Sequence, residues 1–449
     1  MNLKLALVAA ITFSLAQAPS SLQAADLMQI VDLARTNDPR LRAAEDRLIA
    51  AQEGPVQAKS AFYPQINATY DGNSTKNTSD FTDQDGAQSS VSSTSGNRGL
   101  GGTISQSLYR RSTFTQLDAA RAAIERAEAD YDVAFDEFLV RSAEAYFGVL
   151  TAEDNLAFAT AENSAVKRQL DQAEQRFEVG LTAITDVHEA RARFDGSRAR
   201  VIVAENTLND AREALRELTN SDIPMVSGLR DDLPLTPPSP DNAERWVETA
   251  LKSSPTLAST QASADVAQAN IETQRAGHYP SVDAQLNFND STRTGDRNPT
   301  AFFNSDGSRS TTIGISLTVP LFSGFAVSSR VREAIANRDA ALETLEQQRR
   351  AIIRQVRNAY RGVIATMSEV GARKQALVSA TSALEATQAG FDVGTRTIVD
   401  VLLSQQVLFQ AQSDLSAARY NYILNGLRLK RAAGQIAIQD LQATNALLK

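Results

Sequence analysis

Arg176-Phe177-Glu178-Val179-Gly180, with Thr185-Asp186-Val187 just after it, returns as Gly390-Phe391-Asp392-Val393-Gly394 with Val399-Asp400-Val401. The copies lie about 215 residues apart, and the same offset relates Asp38-Pro39-Arg40-Leu41 ahead of Tyr63-Pro64 to Ser254-Pro255-Thr256-Leu257 ahead of Tyr279-Pro280. A whole structural unit has therefore been duplicated. Each glycine string interrupts a heptad. After the first, apolar and small residues step by three and four through Val187, Ala190, Phe194, Ser197, Val201, Ala204, Leu208, Ala211, Leu215 and Leu218. After the second they run through Val401, Ser404, Leu408, Ala411, Leu415, Ala418, Tyr422, Asn425, Leu429 and Ala432. A seam sustained this far predicts a coiled coil, with the alanines allowing close helix approach. Gly180 and Gly394 supply the left-handed stop, and Thr185 and Thr397 are read as the N-caps of the return helices. Each half thus ends in one helical hairpin tip.

Upstream of the first tip, Leu117, Ala120, Ile124, Ala127, Tyr131, Ala134 and Phe138 continue the stripe, and Phe135, Leu139, Tyr146 and Val149 form a second line beside it. Two stripes on one helix imply neighbours on both sides, as in the wall of a cylinder. With no proline between Ser112 and Val179, the helix is predicted to run ~65 residues, or ~100 Å.

Four segments alternate with period two instead: Ile66, Ala68, Tyr70; Gly102, Ile104, Gln106, Leu108; Val282, Ala284, Leu286, Phe288; and Ile313, Ile315, Leu317, Val319, Leu321. In the last, Gly314, Ser316 and Thr318 take the other face, the dyad pattern of a barrel strand between lipid and water. The polar stretches 73–97 and 290–310 are expected to be exposed loops joining the strands. Four strands do not close a barrel, since known membrane barrels begin at about eight. Open edges are not tolerated in hydrocarbon, so several copies must share one wall.

Composition agrees. The 449 residues carry 45 Lys plus Arg against 53 Asp plus Glu, a formal charge of −8, without the clustered basic surface that a nucleic-acid partner requires. Absence of cysteine excludes disulfides, thiolate metal sites and a cysteine nucleophile. The 42% hydrophobic content with only 6% aromatics suits close-packed helices. Met1–Lys4, the apolar Leu5–Leu15 and Leu22-Gln23-Ala24 read as a secretory signal peptide over residues 1–24. Pro224, Pro234, Pro237, Pro238 and Pro240 mark residues 220–241 as a linker between a first repeat, 25–219, and a second, 242–449.

These residues resemble the outer-membrane efflux proteins of the TolC type. The likeness lies in both tip strings, Arg176 to Val187 and Phe391 to Val401, in Ala417-Ala418-Arg419-Tyr420-Asn421-Tyr422 and in the start Asp26-Leu27-Met28-Gln29. The resemblance implies an α+β membrane protein, a homotrimer in which four strands per chain build a twelve-stranded outer-membrane β-barrel. A long α-helical coiled-coil barrel would continue it through the periplasm of a Gram-negative cell. The implied function is a passive exit duct for tripartite multidrug efflux and type I protein secretion, with no catalysis and no cofactor. Implied partners are outer-membrane lipid, a periplasmic adaptor (membrane fusion protein) and an inner-membrane transporter of the RND, ABC or MFS type.

The family's gate falls on identifiable positions. Arg396 matches an arginine that ties one hairpin to Thr185 and Asp186 of a neighbouring copy. Asp400 matches an entrance ring of carboxylates, whose like charges would attract cations and raise one another's pKa. Phe391 stands where the family pattern places a tyrosine hydroxyl, and Leu403 where it places a second aspartate. Both departures predict a more loosely latched entrance with weaker cation trapping. Val179, Gly180, Leu181 and Thr182 on one tip, and Val393, Gly394 and Thr395 on the other, match adaptor-docking positions. The competing readings are a periplasmic coiled-coil adaptor or a surface adhesin. An enzyme finds no motif: Gly99-Leu100-Gly101-Gly102 lacks the third glycine of a dinucleotide loop, and His188 has no ligand partner in sequence.

Overall fold

The computed structural model describes residues 24–82, 86, 88–295 and 307–449, so the expected signal peptide lies outside the described residues except for Ala24. Its elements are α1 (Leu27–Asn37), α2 (Pro39–Gln52), α3 (Gly54–Ser60), β1 (Gln65–Thr82), β2 (Gln88–Arg110), α4 (Arg111–Glu178), α5 (Ile184–Thr219), α6 (Ala243–Ser253), α7 (Pro255–Arg275), β3 (Ser281–Gly295), β4 (Gly307–Thr318), α8 (Ala326–Asp392), α9 (Ile398–Ala432) and α10 (Ile438–Asn445). Two compact units divide the chain. One takes the described residues up to Arg42 with Asp136–Trp246 and Val356–Lys449, and the other takes Ala43–Phe135 with Val247–Gln355. Each expected repeat contributes to both.

The second unit holds an antiparallel sheet in the order β1-β2-β3-β4. Its register puts the apolar residues on one face. Ile66 pairs with Ile104, Ile104 with Leu286, and Leu286 with Ile313. The next row on that face joins Ala284 to Ile315. The opposite face carries Asn67, Thr103, Asn287 and Thr312, again in one row. Because side chains alternate strictly along a strand, one apolar face and one polar face follow from register alone. Ile313, Ile315, Ile66 and Tyr70 are all largely exposed in the single chain. Among the described residues β1 and β4 each pair on one side only.

The strands outrun the apolar alternation. Residues 73–82 and 88–97, expected to be loop, form a continuous ladder from Asn73↔Asn97 to Thr82↔Gln88. Likewise, β3 continues to Gly295 and β4 begins at Gly307, so only the middle of the second expected loop lies outside the described residues. The sequence signal vanishes here because apart from Phe81 and Val91 both faces are polar, while backbone pairing needs no apolar face. Arg309 and Asp290, directly opposite each other on the face that carries Phe288, form an ion pair at 2.7 Å one row beyond it. That charge pair ends the apolar band on β3 and β4, while Leu100 and Tyr70 carry it along the same row on β2 and β1.

At its other end β4 stops at Thr318, short of the expected Leu321. Pro320 has no N–H for a ladder. Gly324 and Phe325 then take φ of 60° and 64°, and this left-handed pair turns the chain into α8. Leu321, Phe322 and Phe325 are left exposed, the two rings edge to face at 5.4 Å.

The first unit is helical, and its core holds Leu139, Tyr146 and Val149 of the second line predicted on α4 with Phe138 from the end of the first, whereas Leu117 to Ala134 of the first line belong to the other unit and are half-buried. Ala143 and Phe147 are buried in the same core, as are Leu27, Ile30 and Val31 of α1 and Leu215 and Leu218 of α5. The two large buried phenols have partners, whereas Gln169 Oε1, Arg212 Nε and Gln405 Oε1 are buried without one. The Tyr146 hydroxyl donates to the Ser227 carbonyl at 2.6 Å, and that of Tyr420 to Asp154 at 2.7 Å. Burial pushes both phenols well above the usual tyrosine range. Asp38, at the α1–α2 junction, accepts from Arg141 of α4 and from the Arg40 N–H at 3.0 Å. None of the ten seam positions predicted on α9 is exposed.

Candidate functional site at the hairpin tips

Both tips lie in the helical unit. They close with the same hydrogen bonds. At the end of α4, Leu181 N–H donates to Arg176 O at 2.8 Å and Gly180 N–H to Phe177 O at 2.9 Å. At the end of α8, Thr395 N–H donates to Gly390 O at 2.8 Å and Gly394 N–H to Phe391 O at 3.0 Å. A six-to-one bond enclosing a five-to-two bond is the Schellman stop. It requires a left-handed residue, which Gly180 (φ 75°) and Gly394 (φ 80°) provide.

The return helices start differently. Thr397 caps α9 as expected, through a reciprocal box with Asp400: Asp400 N–H donates to the Thr397 hydroxyl at 3.3 Å, and Thr397 N–H donates to the carboxylate at 2.9 Å. At α5 the expectation fails. Ala183, not Thr185, is the N-cap. The hydroxyl that serves this tip is that of Thr182, which donates to the Asp186 carboxylate at 2.5 Å. Thr185 already lies inside the first helical turn, so its oxygen is not placed to accept the early N–H groups.

The Thr397 backbone and hydroxyl bonds hold the Asp400 carboxyl below the usual carboxylate range, with Arg396 nearby assisting against partial desolvation. Within one chain the direction is thus opposite to the mutual raising expected of a carboxylate ring, which needs neighbouring copies. Arg396 is exposed and makes no ion pair among the described residues, so one chain does not bring it together with Asp186. Its stem lies over Gly390, where an added Cβ would sit 2.7 Å from Arg396 Cγ and 3.2 Å from Thr395 Oγ1. Gly390 was not singled out for this role from the sequence. A glycine followed six residues later by an arginine across a tight turn is the available signal.

Beneath the tips, Val166, Leu170 and Ala173 of α4, Val187 and Ala190 of α5, and Ile398 and Leu402 of α9 form a buried cluster, with Phe194, Phe391 and Val399 packed against it. The two hairpins of one chain therefore share a core. The Arg176 guanidinium lies over the Phe391 ring, 4.9 Å from its centroid. Val179, Leu181 and Val393 are exposed and apolar at the apices, while Leu403 is exposed and His188 faces solvent. Among the described residues no group of three or more metal-ligating side chains comes together, and no helix is long and apolar enough to cross a membrane.

The chain matches the family model described as outer membrane efflux protein over residues 30–221 and 246–435. It is 38% identical over 432 residues to outer membrane protein TolC of Vibrio cholerae, covering 96% of this chain and 95% of that protein. It is 27% identical over 423 residues to the alkaline protease secretion protein AprF of Pseudomonas aeruginosa, covering 92% and 85% respectively. Among solved structures, the CmeC outer membrane channel of Campylobacter jejuni superposes with a TM-score of 0.74 at 17% identity, covering 100% of this chain and 98% of that one. The long helices and four-stranded antiparallel sheet have the α+β fold of these channels. The chain therefore belongs to the outer membrane efflux protein family, whose place is the outer membrane of Gram-negative bacteria.

Proposed function

We propose that three copies of this chain close one twelve-stranded barrel, and that their helical hairpins form a gated periplasmic entrance to a passive duct. The observation that carries this reading is the sheet: apolar on one face, polar on the other, and unpaired along both β1 and β4. Hydrocarbon forbids such edges, and a second copy's β4 is the natural partner for β1. Three copies rather than two leave an aqueous bore, because an eight-stranded barrel is filled by its own side chains. Conductance in planar bilayers together with the mass of the detergent-solubilised oligomer tests duct and stoichiometry at once. A single copy, or an oligomer that passes no ions, would refute it. A coiled-coil adaptor or adhesin would instead leave the membrane in salt or at high pH.

The duct serves export across the outer membrane, with a periplasmic adaptor docking on the exposed apices around Gly180 and Gly394 and an RND, ABC or MFS transporter supplying energy. The TolC and protease-secretion relatives support both small-molecule efflux and type I secretion as cargo routes. No residue acts as a catalyst. The two separate family matches support reading the chain as repeats 25–219 and 242–449 joined at 220–241.

Closure rests on Arg396 reaching Thr185 and Asp186 of the neighbouring copy. Each hydrated tie is worth only about 1 kcal/mol, weak enough to yield to an adaptor and multiplied by symmetry. Arg396→Ser should therefore raise single-channel conductance, and an unchanged trace would remove Arg396 from the gate. Asp400 forms the proposed cation ring. Here Asp400→Asn is the informative change, because Ala would also delete the partner of the Thr397 cap. The amide keeps an acceptor for the Thr397 N–H while removing the charge. Block by multivalent cations from the periplasmic side should weaken severalfold, and full block would place the cation site elsewhere.

A further inference from the structure

Resting on the gate reading above, we infer that Arg176 and Phe391 form a within-chain latch, a cation–π contact that does the work of the hydroxyl bond the family pattern places at position 391. The loss of that hydroxyl predicted a looser entrance. The structure supplies a different tie at the same ring. One side of Phe391 packs on the cluster shared by α4, α5 and α9, and the Arg176 guanidinium lies over the ring 4.9 Å from its centroid. Arg176 belongs to the first hairpin and Phe391 to the second, so the contact spans the two tips. Both residues are fixed at their bases, because the Arg176 carbonyl accepts the Leu181 N–H and the Phe391 carbonyl accepts the Gly394 N–H.

A simpler role for Arg176 is compensation of the α4 dipole, since it is the basic residue of that helix's last turn. That role needs only a positive charge near the α4 carbonyls and no aromatic partner. The placement over Phe391 is the additional fact. The pair has properties that a hydroxyl hydrogen bond lacks. The guanidinium stays charged at every relevant pH, and a ring face tolerates small sliding of one hairpin along the other. In this chain Arg176 and Phe391 act as positioning residues. They hold the second hairpin against the first, and with it Arg396, five residues beyond Phe391, where a neighbouring copy's Thr185 and Asp186 would meet it.

The test is single-channel recording of the full-length protein with Arg176→Gln, Phe391→Leu, Phe391→Tyr, the Arg176→Gln/Phe391→Leu double variant and Arg396→Ser. Each is first checked for unchanged heat-modifiable migration. One lost contact should shift the closed-to-open ratio about two- to fivefold for each chain, multiplying over the copies around one entrance. Arg176→Gln and Phe391→Leu should each open the channel, the double variant no further than the larger single effect, and Phe391→Tyr should stay closed. Additive opening in the double variant would overturn the coupling, as would opening by Phe391→Tyr equal to that by Phe391→Leu. If Arg396→Ser opens the channel while Arg176→Gln and Phe391→Leu do not, the gate stands and the latch falls. If none of the three opens it, both fall.

Discussion

Ile315→Arg is expected to abolish assembly in the outer membrane, while Thr312→Arg on the same strand is expected to insert. Ile315 and Ile313 project from the apolar face of β4, and Thr312 projects from the polar face. In the isolated chain Ile315 is 72% exposed, so an arginine there has no steric conflict within one copy. Against lipid it costs about 2–4 kcal/mol near the bilayer midplane, and every copy in the barrel carries the same cost. Heat-modifiable oligomer in outer-membrane fractions is the readout. Equal accumulation of the two variants would mean that the face bearing Ile315 does not meet hydrocarbon.

Asp38→Ala should lower the stability of the helical unit by about 3 kcal/mol, the low end for removing one partner of a buried ion pair. The Asp38 side chain is 3% exposed, and the Arg141 side chain facing it is 27% exposed. Truncation leaves a guanidinium partly shielded from water with no counter-charge, and it also strips the Arg40 N–H of its acceptor. The expected result is a lower denaturant midpoint of the helical circular-dichroism signal at unchanged slope. Asp38→Asn, which retains an acceptor for Arg40, should lose less. Equal losses would assign the effect to charge alone.

The helices were readable because a single number, the helical period, decides which residues face inward. Val187, Ala190, Ser197, Leu208, Leu215 and Leu218 are buried as their spacing requires. Strands were readable only where one face is apolar. Beyond Tyr70 and Leu100 the ribbon is mostly Ser, Thr, Asn, Asp and Gly on both sides, with Phe81 and Val91 isolated among them, and nothing in that pattern distinguishes a ladder from a loop. Helix ends are local contests between neighbouring residues. Thr185 and Thr182 both offer a hydroxyl near the start of α5, and period alone does not choose between them. The proposed gate positions rest on the likeness of the tip strings to the family rather than on their spacing, and the contact of Arg176 with Phe391 joins residues 215 apart in number and has no local signature. Only the folded pairing of the two hairpins brings the ring under the guanidinium.

The β2–β3 ladder has a consequence for biogenesis. Its register joins Ser95 to Gly295 and Arg110 to Ser281, so the central seam of the sheet marries strands made by opposite halves of the gene. A ribosome must finish most of the message before that seam can zip, and the early hairpin waits unmarried in the meantime. Until then the first hairpin carries an open row of backbone donors and acceptors along β2, the kind of edge that templates aggregation.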